Sequence, residues 1–336
     1  VAVEGLGAFT SELLVELAER RTAAGDYDGA ARELSRAAEG GADPGAVLAR
    51  VDELSRALRE AGAWLGSDGL IAFAEARAMS LSSLAAQEPT IPSPSEAADP
   101  ESQAIKSAAA TAYRELGSLR WDLAEDRRGA EEAFFRAGEL PARGGVERYA
   151  RDLLAFAGVD YAIEALAMRA GRMKGDDVRK MRANLLIEAA NLANEHGQAE
   201  HALVAASSAI ESDPSRADAV ALVEKNAHVE GGLPILDRTY DLLAAAALGR
   251  FGRRAAHYRG ARQLERRGAL DLALRHAAAS FEAVPGEGMS YVLLTRLAER
   301  VDDPLEAVRA LERVAAEGNT SDRTIWLKRA AGLAGK

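Results

Sequence analysis

The chain has 336 residues, of which 48% are apolar but only 5% aromatic, and a formal net charge of −10. The absence of cysteine excludes disulfides and cysteine nucleophiles, the lack of about 18 consecutive apolar residues excludes a membrane span, and the negative charge argues against nucleic acid as the main partner. Alanine and leucine must supply most of the interior, and this predicts helix throughout because alanine has the highest helix propensity.

The first predicted domain, residues 1–87, is an acidic set of helical hairpins. Residues 1–100 contain eight arginines, no lysine and seventeen carboxylates. The chain begins at Val1 with neither an initiator methionine nor a signal peptide, so we expect a fragment or a processed chain. Its cysteine-free, Ala/Arg/Gly-rich composition suggests a cytoplasmic location and a bacterial source.

Residues 88–100 are the best candidate for a linker. They contain four prolines in thirteen residues, a density that forbids helix and favours an extended or disordered segment. The segment either separates two helical arrays or forms a flexible excursion inside a single array.

Residues 101–336 are the second predicted domain, and a short phrase recurs both there and in the first. A helix ends in glycine and polar residues, and alanine then opens the next helix. The copies are Gly25–Ala30, Gly197–Ala202, Gly268–Ala273 and, with glycine replaced, Val301–Ala307. Counted between their alanines, the last two copies are 34 residues apart and the middle two 71. Looser copies end at Ala130 and Ala162, 32 residues apart.

The clearest unit runs from Leu185 to Ala217, with small residues such as Ala189 and Ala202 where two helices would cross. This arrangement and a period near 34 residues resemble the tetratricopeptide repeat. The resemblance implies an all-α solenoid of antiparallel helix pairs that winds into a right-handed superhelix with one concave face. The first-helix Trp, Gly and Tyr of that family are mostly absent here.

In that family the first helices of successive repeats line the groove, which holds a peptide or a partner helix. Asparagine there can bond a bound backbone, and arginine can bind a carboxylate with two hydrogen bonds. The resemblance therefore implies a protein or peptide ligand, acidic or with a free C-terminus. Ordinary hydrated polar residues on a helix exterior are the alternative. The residues carried over are Asn184, Asn191, Asn226, Arg262 and Arg296, with Arg151 a looser match.

The second candidate surface is residues 250–267, which hold seven arginines and one glutamate. If this stretch is helical, Arg259, Arg262 and Arg266 share one face, with Tyr258 beside them. The stripe could dock an acidic partner segment, pair with the acidic N-terminal region, or be solvated. Leu248 and Phe251 nearby, and Phe134 and Phe135 in an earlier segment, are predicted to be core.

The sequence offers no support for catalysis, a metal site or a cofactor. His196 and His201 are five residues apart across a predicted turn, but no zinc, calcium or phosphate-binding motif accompanies them. We therefore expect a non-enzymatic scaffold or adaptor that binds a partner on its concave face. The alternatives are a structural spacer or self-association module within a larger protein, and, least favoured, an enzyme with a site in the groove.

Overall fold

The computed structural model describes residues 2–87, 100–140, 145–285, 288–317 and 320–335. These residues form seventeen α-helices and no strand. The chain divides into two compact units, unit 1 (residues 1–162) and unit 2 (residues 163–336). No helix among the described residues is both long enough and apolar enough to cross a membrane.

Unit 1 stacks its helices in chain order, and each of α1 to α6 packs against the next helix. Alternate helices also meet, as α2 does with α4 and α5 with α7. The helices are α1 (Ala2–Ala23), α2 (Tyr27–Glu39), α3 (Pro44–Ala61), α4 (Ser67–Gln87), α5 (Pro100–Leu123), α6 (Arg127–Glu139), α7 (Gly145–Ala157) and α8 (Val159–Arg172), within which the division between the units falls.

Unit 2 repeats this pattern from α9 to α17, with the alternate helices α10 and α12, and α14 and α16, also in contact. Its helices are α9 (Arg179–Glu195), α10 (Ala199–Ser212), α11 (Ala217–Asn226), α12 (Gly232–Ala246), α13 (Gly249–Arg266), α14 (Leu270–Ala283), α15 (Gly288–Ala298), α16 (Leu305–Glu317) and α17 (Thr320–Ala334). Short turns and contacts confined to near neighbours define an all-α solenoid of antiparallel helix pairs, as the sequence predicted.

The recurring phrase builds the turn of each hairpin. Gly25, Gly197 and Gly268 adopt φ angles of 77°, 75° and 78°, a left-handed conformation that favours glycine. Five residues later the recurring alanine begins the buried side of the second helix. All six recurring alanines are fully buried, because a larger side chain there would separate the paired helices. They are Ala30, Ala130, Ala162, Ala202, Ala273 and Ala307.

One hairpin departs from the glycine rule. Glu125 stands five residues before Ala130 and has a φ of 52°, so a side chain occupies the left-handed position between α5 and α6. Asp126 follows it and caps α6 by accepting a hydrogen bond from the Gly129 amide at 2.9 Å. The turn geometry is therefore retained at the cost of local backbone strain.

The predicted linker, residues 88–100, lies outside the described residues except for Pro100, which begins α5. Helices α4 and α5 on either side of it pack against each other, and unit 1 continues across it. Whether residues 1–87 and 101–336 behave as separate domains stays a prediction. The predicted core residues Phe134 and Phe135 are buried, and Phe134 stacks on Phe156.

Candidate binding face and histidine cluster

Polar links join the first helices of successive pairs in unit 2. Arg259 on α13 binds the Glu224 carboxylate on α11 with two hydrogen bonds of 2.7 and 2.9 Å. Arg296 on α15 binds Glu265 on α13 at 2.7 Å. The predicted Arg/Asn ladder thus contacts neighbouring helices. These two arginines hold the stack together, although each guanidinium remains about half exposed.

The three predicted asparagines occupy different environments. The Asn184 side chain on α9 accepts a hydrogen bond from Arg216, and Asn191, two turns later, is half-buried. Asn226 is only 2% exposed and donates to the Leu222 carbonyl of its own helix at 2.9 Å. Because a buried side chain cannot reach a ligand without local opening, we leave Asn226 out of the candidate face.

Glu224 is where several of these contacts meet. Its carboxylate, 15% exposed, accepts the Tyr240 hydroxyl as well as Arg259, and its backbone carbonyl accepts from Arg267. Burial and, after it, the hydrogen bond to Glu224 raise the pKa of Tyr240, so the phenol stays protonated as the donor. The basic stretch on α13 is therefore partly neutralised from within unit 2, whereas the sequence suggested the N-terminal region.

Two arginines on α13 remain without such a link. Arg262 and Arg266 form no ion pair or hydrogen bond with any described residue, and Arg266 is exposed. Tyr258, one turn before Arg262, is half-buried beside them. This combination of free guanidinium groups and an aromatic ring can bind carboxylates.

An apolar stripe on α15 lies beside these arginines. Met289 and Val292 are 58% and 61% exposed, and with Arg296 they occupy one face of the helix. The Arg296–Glu265 pair fixes the register of α13 and α15, and seven residues before each partner stand Met289 and Tyr258. We define the α13/α15 face as Tyr258, Arg262, Arg266, Met289 and Val292.

The start of α13 corrects a sequence prediction. Leu248 and Phe251 were expected in the core, but they are 98% and 61% exposed. Helical periodicity placed them on the apolar side, whereas the chain turns between α12 and α13 and leaves Leu248 in the turn. The Arg250 guanidinium lies 5.2 Å from the Phe251 ring centre and covers part of that ring.

A histidine pair connects α13 and α14 on another side of the same hairpin. The Nδ1 atoms of His257 and His276 are 2.9 Å apart, and His276 is fully buried. His276 Nε2 lies 3.1 Å from an Asp237 carboxylate oxygen on α12. Arg275 binds both Asp237 and Asp241, at 2.5 and 2.9 Å. The cluster therefore joins three consecutive helices.

Burial controls the protonation of this pair. Burial and, after it, the neighbouring His276 lower the pKa of His257 to about 4. Burial and then the charge of Arg275 lower the pKa of His276. Both rings are neutral at neutral pH. One consistent proton arrangement has His276 Nε2–H donating to Asp237 and His257 Nδ1–H donating to His276 Nδ1.

Sequence reasoning examined His196 and His201 and missed His257 and His276. A signal was present, because the two histidines lie at comparable distances on either side of the turn at Gly268. Residues so placed in a helical hairpin meet when they face the same side. The sequence does not fix that side, because the rotation of each helix about its axis depends on packing.

Comparisons with known proteins identify no family. No family model and no curated protein matches this chain. Among the solved structures that match is one titled "Circular tandem repeat protein with novel repeat topology and enhanced subunit contact surfaces". The two chains are 16% identical, the match covers 98% of this chain and 91% of that one, and the TM-score is 0.28. At that score the similarity carries no argument, and the helical-repeat fold rests on the contacts within each unit.

Proposed function

We propose that the chain is a protein-interaction module and that its α13/α15 face binds an acidic, amphipathic segment of a partner protein. The observation that carries the proposal is that Arg262 and Arg266 lack acidic partners in the described residues and stand beside exposed Met289 and Val292. A helical-repeat fold supports such a role, because stacked helices present long regular surfaces to a partner.

Charge and shape together define the ligand. The chain carries a formal net charge of −10, so an accessible basic strip is a local exception and would attract carboxylates selectively. Met289 and Val292 supply apolar area that leucine-like side chains of the partner would cover. A ligand with carboxylates on one side and apolar residues on the other fits both features.

The test uses a fluorescent synthetic helix-forming peptide with glutamates along one side and leucines along the other. A matched peptide has lysine in place of glutamate. We expect the full chain to bind the acidic peptide, with affinity that falls as salt is added, and to bind the lysine peptide far more weakly. Replacing both arginines (Arg262→Glu, Arg266→Glu) should weaken binding at least about tenfold, because two charge-assisted contacts are lost.

The matched control is the pair Arg56→Glu and Arg128→Glu on exposed positions of unit 1, which changes the net charge by the same amount. If the control pair weakens binding as much as the α13 pair, the attraction is non-specific and the assignment of the face is wrong. Fluorescence anisotropy gives the affinities. Circular dichroism verifies that the variants keep their helix content.

Self-association is a second candidate function, favoured by the exposure of Leu248 and Phe251 at the start of α13. Sedimentation velocity would show a concentration-dependent dimer that Leu248→Asp abolishes. A chain that stays monomeric at all concentrations would argue against this candidate and leave the acidic-partner proposal in place.

A further inference from the structure

Three side chains that can bind metal ions converge in unit 2, each from a different helix. Asp241 comes from α12, His257 from α13 and His276 from α14, and one donor atom of each lies within 4.8 Å of the other two. Over the part of the chain that the structure describes, no other group of three such side chains meets this condition. We infer that Asp241, His257 and His276 form a binding site for a divalent transition-metal ion such as Zn²⁺.

The chemistry of the donors selects this class of ion. Two imidazoles and one carboxylate are a common set for zinc and neighbouring transition metals, whereas Ca²⁺ and Mg²⁺ prefer oxygen ligands only. Three protein ligands leave a fourth position for water. Asp241 is 42% exposed at its side chain, so an ion and its water can enter from solvent on that side.

The spacing of the two rings is close to what an ion requires. The Nδ1 atoms are 2.9 Å apart and face each other. Two nitrogens that share a tetrahedral zinc ion at the usual Zn–N length are about 3.3 Å apart. A relative movement of about 0.4 Å, the difference between these two separations, would admit the ion between the rings. The half-buried His257 can move more readily than the fully buried His276.

A supporting carboxylate is already in place. His276 Nε2 is 3.1 Å from Asp237, whose side chain is only 19% exposed. A histidine that binds a metal commonly donates its other ring N–H to a carboxylate, which fixes the tautomer and the orientation of the ring. Asp237 therefore leaves His276 Nδ1 as the donor that faces His257, the orientation that an ion needs.

Arg275 opposes the ion. Its guanidinium binds Asp241 at 2.9 Å and Asp237 at 2.5 Å and supplies the positive charge that balances these carboxylates in the absence of metal. An ion bound to Asp241 would have to share that carboxylate with Arg275 or displace it, and the two cations would repel. Arg275 should therefore limit the affinity, and its removal should increase it.

The experiment titrates Co²⁺ into the full chain, freed of any histidine tag and of bound metal by a chelator, and follows the visible ligand-field absorption. Zn²⁺ then competes for the site. We expect one equivalent to bind, with an absorption distinct from aqueous Co²⁺. His257→Gln and Asp241→Asn should each weaken binding at least about tenfold, and Asp237→Asn by roughly 10- to 100-fold. Arg275→Gln should tighten it.

The matched control is His201→Gln, which removes an exposed histidine from α10 and should leave the affinity unchanged. The gain expected for Arg275→Gln distinguishes the site from general loss of structure, because an unfolded variant would not bind more tightly. Absorption no different from aqueous Co²⁺, or equal affinity in the wild type and His257→Gln, would overturn the inference. Neither result bears on the α13/α15 face.

Discussion

Glu224 and Arg259 form a two-hydrogen-bond ion pair that joins α11 to α13, with distances of 2.7 and 2.9 Å. The carboxylate is mostly buried and also accepts the Tyr240 hydroxyl. Arg259, predicted from the sequence as a binding residue, therefore has a structural contact of its own. Arg262, one turn later, has no comparable contact within the described residues.

Arg259→Met should lower the free energy of unfolding by about 1–3 kcal/mol, because it leaves a mostly buried carboxylate without its cation. Arg262→Met should change it by less than about 0.5 kcal/mol, since a surface side chain without contacts is removed. Urea unfolding followed by circular dichroism measures both. Equal effects of the two substitutions would contradict the structural role of the Glu224–Arg259 pair.

Glu125→Gly should raise the free energy of unfolding by about 1 kcal/mol, because glycine adopts the φ of 52° without the strain that a side chain suffers. Gly25→Ala, at the equivalent position of the first hairpin, should have the opposite effect and a similar size. Nothing lies within 4 Å of a Cβ at Gly25, so its cost would come from the backbone alone. Thermal or urea unfolding of the two variants tests whether the hairpins share one turn geometry.

Gly117→Ala should lower the free energy of unfolding by about 1–3 kcal/mol, the usual cost of overpacking a core. A Cβ at this position of α5 would lie 2.5 Å from the ring of Phe134, which is fully buried and cannot move aside.

Gly171→Ala is the matched control, because it makes the same change on α8 where nothing lies within 4 Å of the added atom. It should be stabilising by up to about 1 kcal/mol through helix propensity. Two effects of the same sign would show that the close approach of α5 and α6 at Gly117 is wrong.

Asp213→Asn should destabilise the chain at pH 7 by about 1 kcal/mol and have less effect below about pH 4. Asp213 accepts hydrogen bonds from the Ser215 hydroxyl at 2.7 Å and the Ser215 amide at 3.1 Å, and the hydroxyl bond in particular lowers the pKa of the carboxyl.

The sign follows from proton linkage. A lowered pKa in the folded chain means that the stabilisation is fully present above the ordinary aspartate pKa and is lost as the pH falls through the folded value. Urea unfolding of wild type and variant at pH 7 and pH 3 measures the difference. A gap that is the same at both pH values would show that the charge of Asp213 contributes nothing.

The sequence by itself determined the helical-repeat fold, because its signals are local. Alanine at a recurring position, glycine five residues before it and polar caps act within one hairpin, and the structure contains these hairpins with Ala202 and Ala273 fully buried. The same local reasoning placed Arg259, Arg262 and Arg296 on first helices correctly. It could not say which of them another helix would neutralise.

Only the tertiary structure decided those pairings. Glu224 and Arg259 are 35 residues apart, and Glu265 and Arg296 are 31 apart, so their contact depends on how successive hairpins are stacked. The meeting of His257 with His276 likewise depends on the rotation of α13 and α14 about their axes. Helical periodicity defines the faces of one helix, whereas the packing of many side chains together fixes which face meets which neighbour.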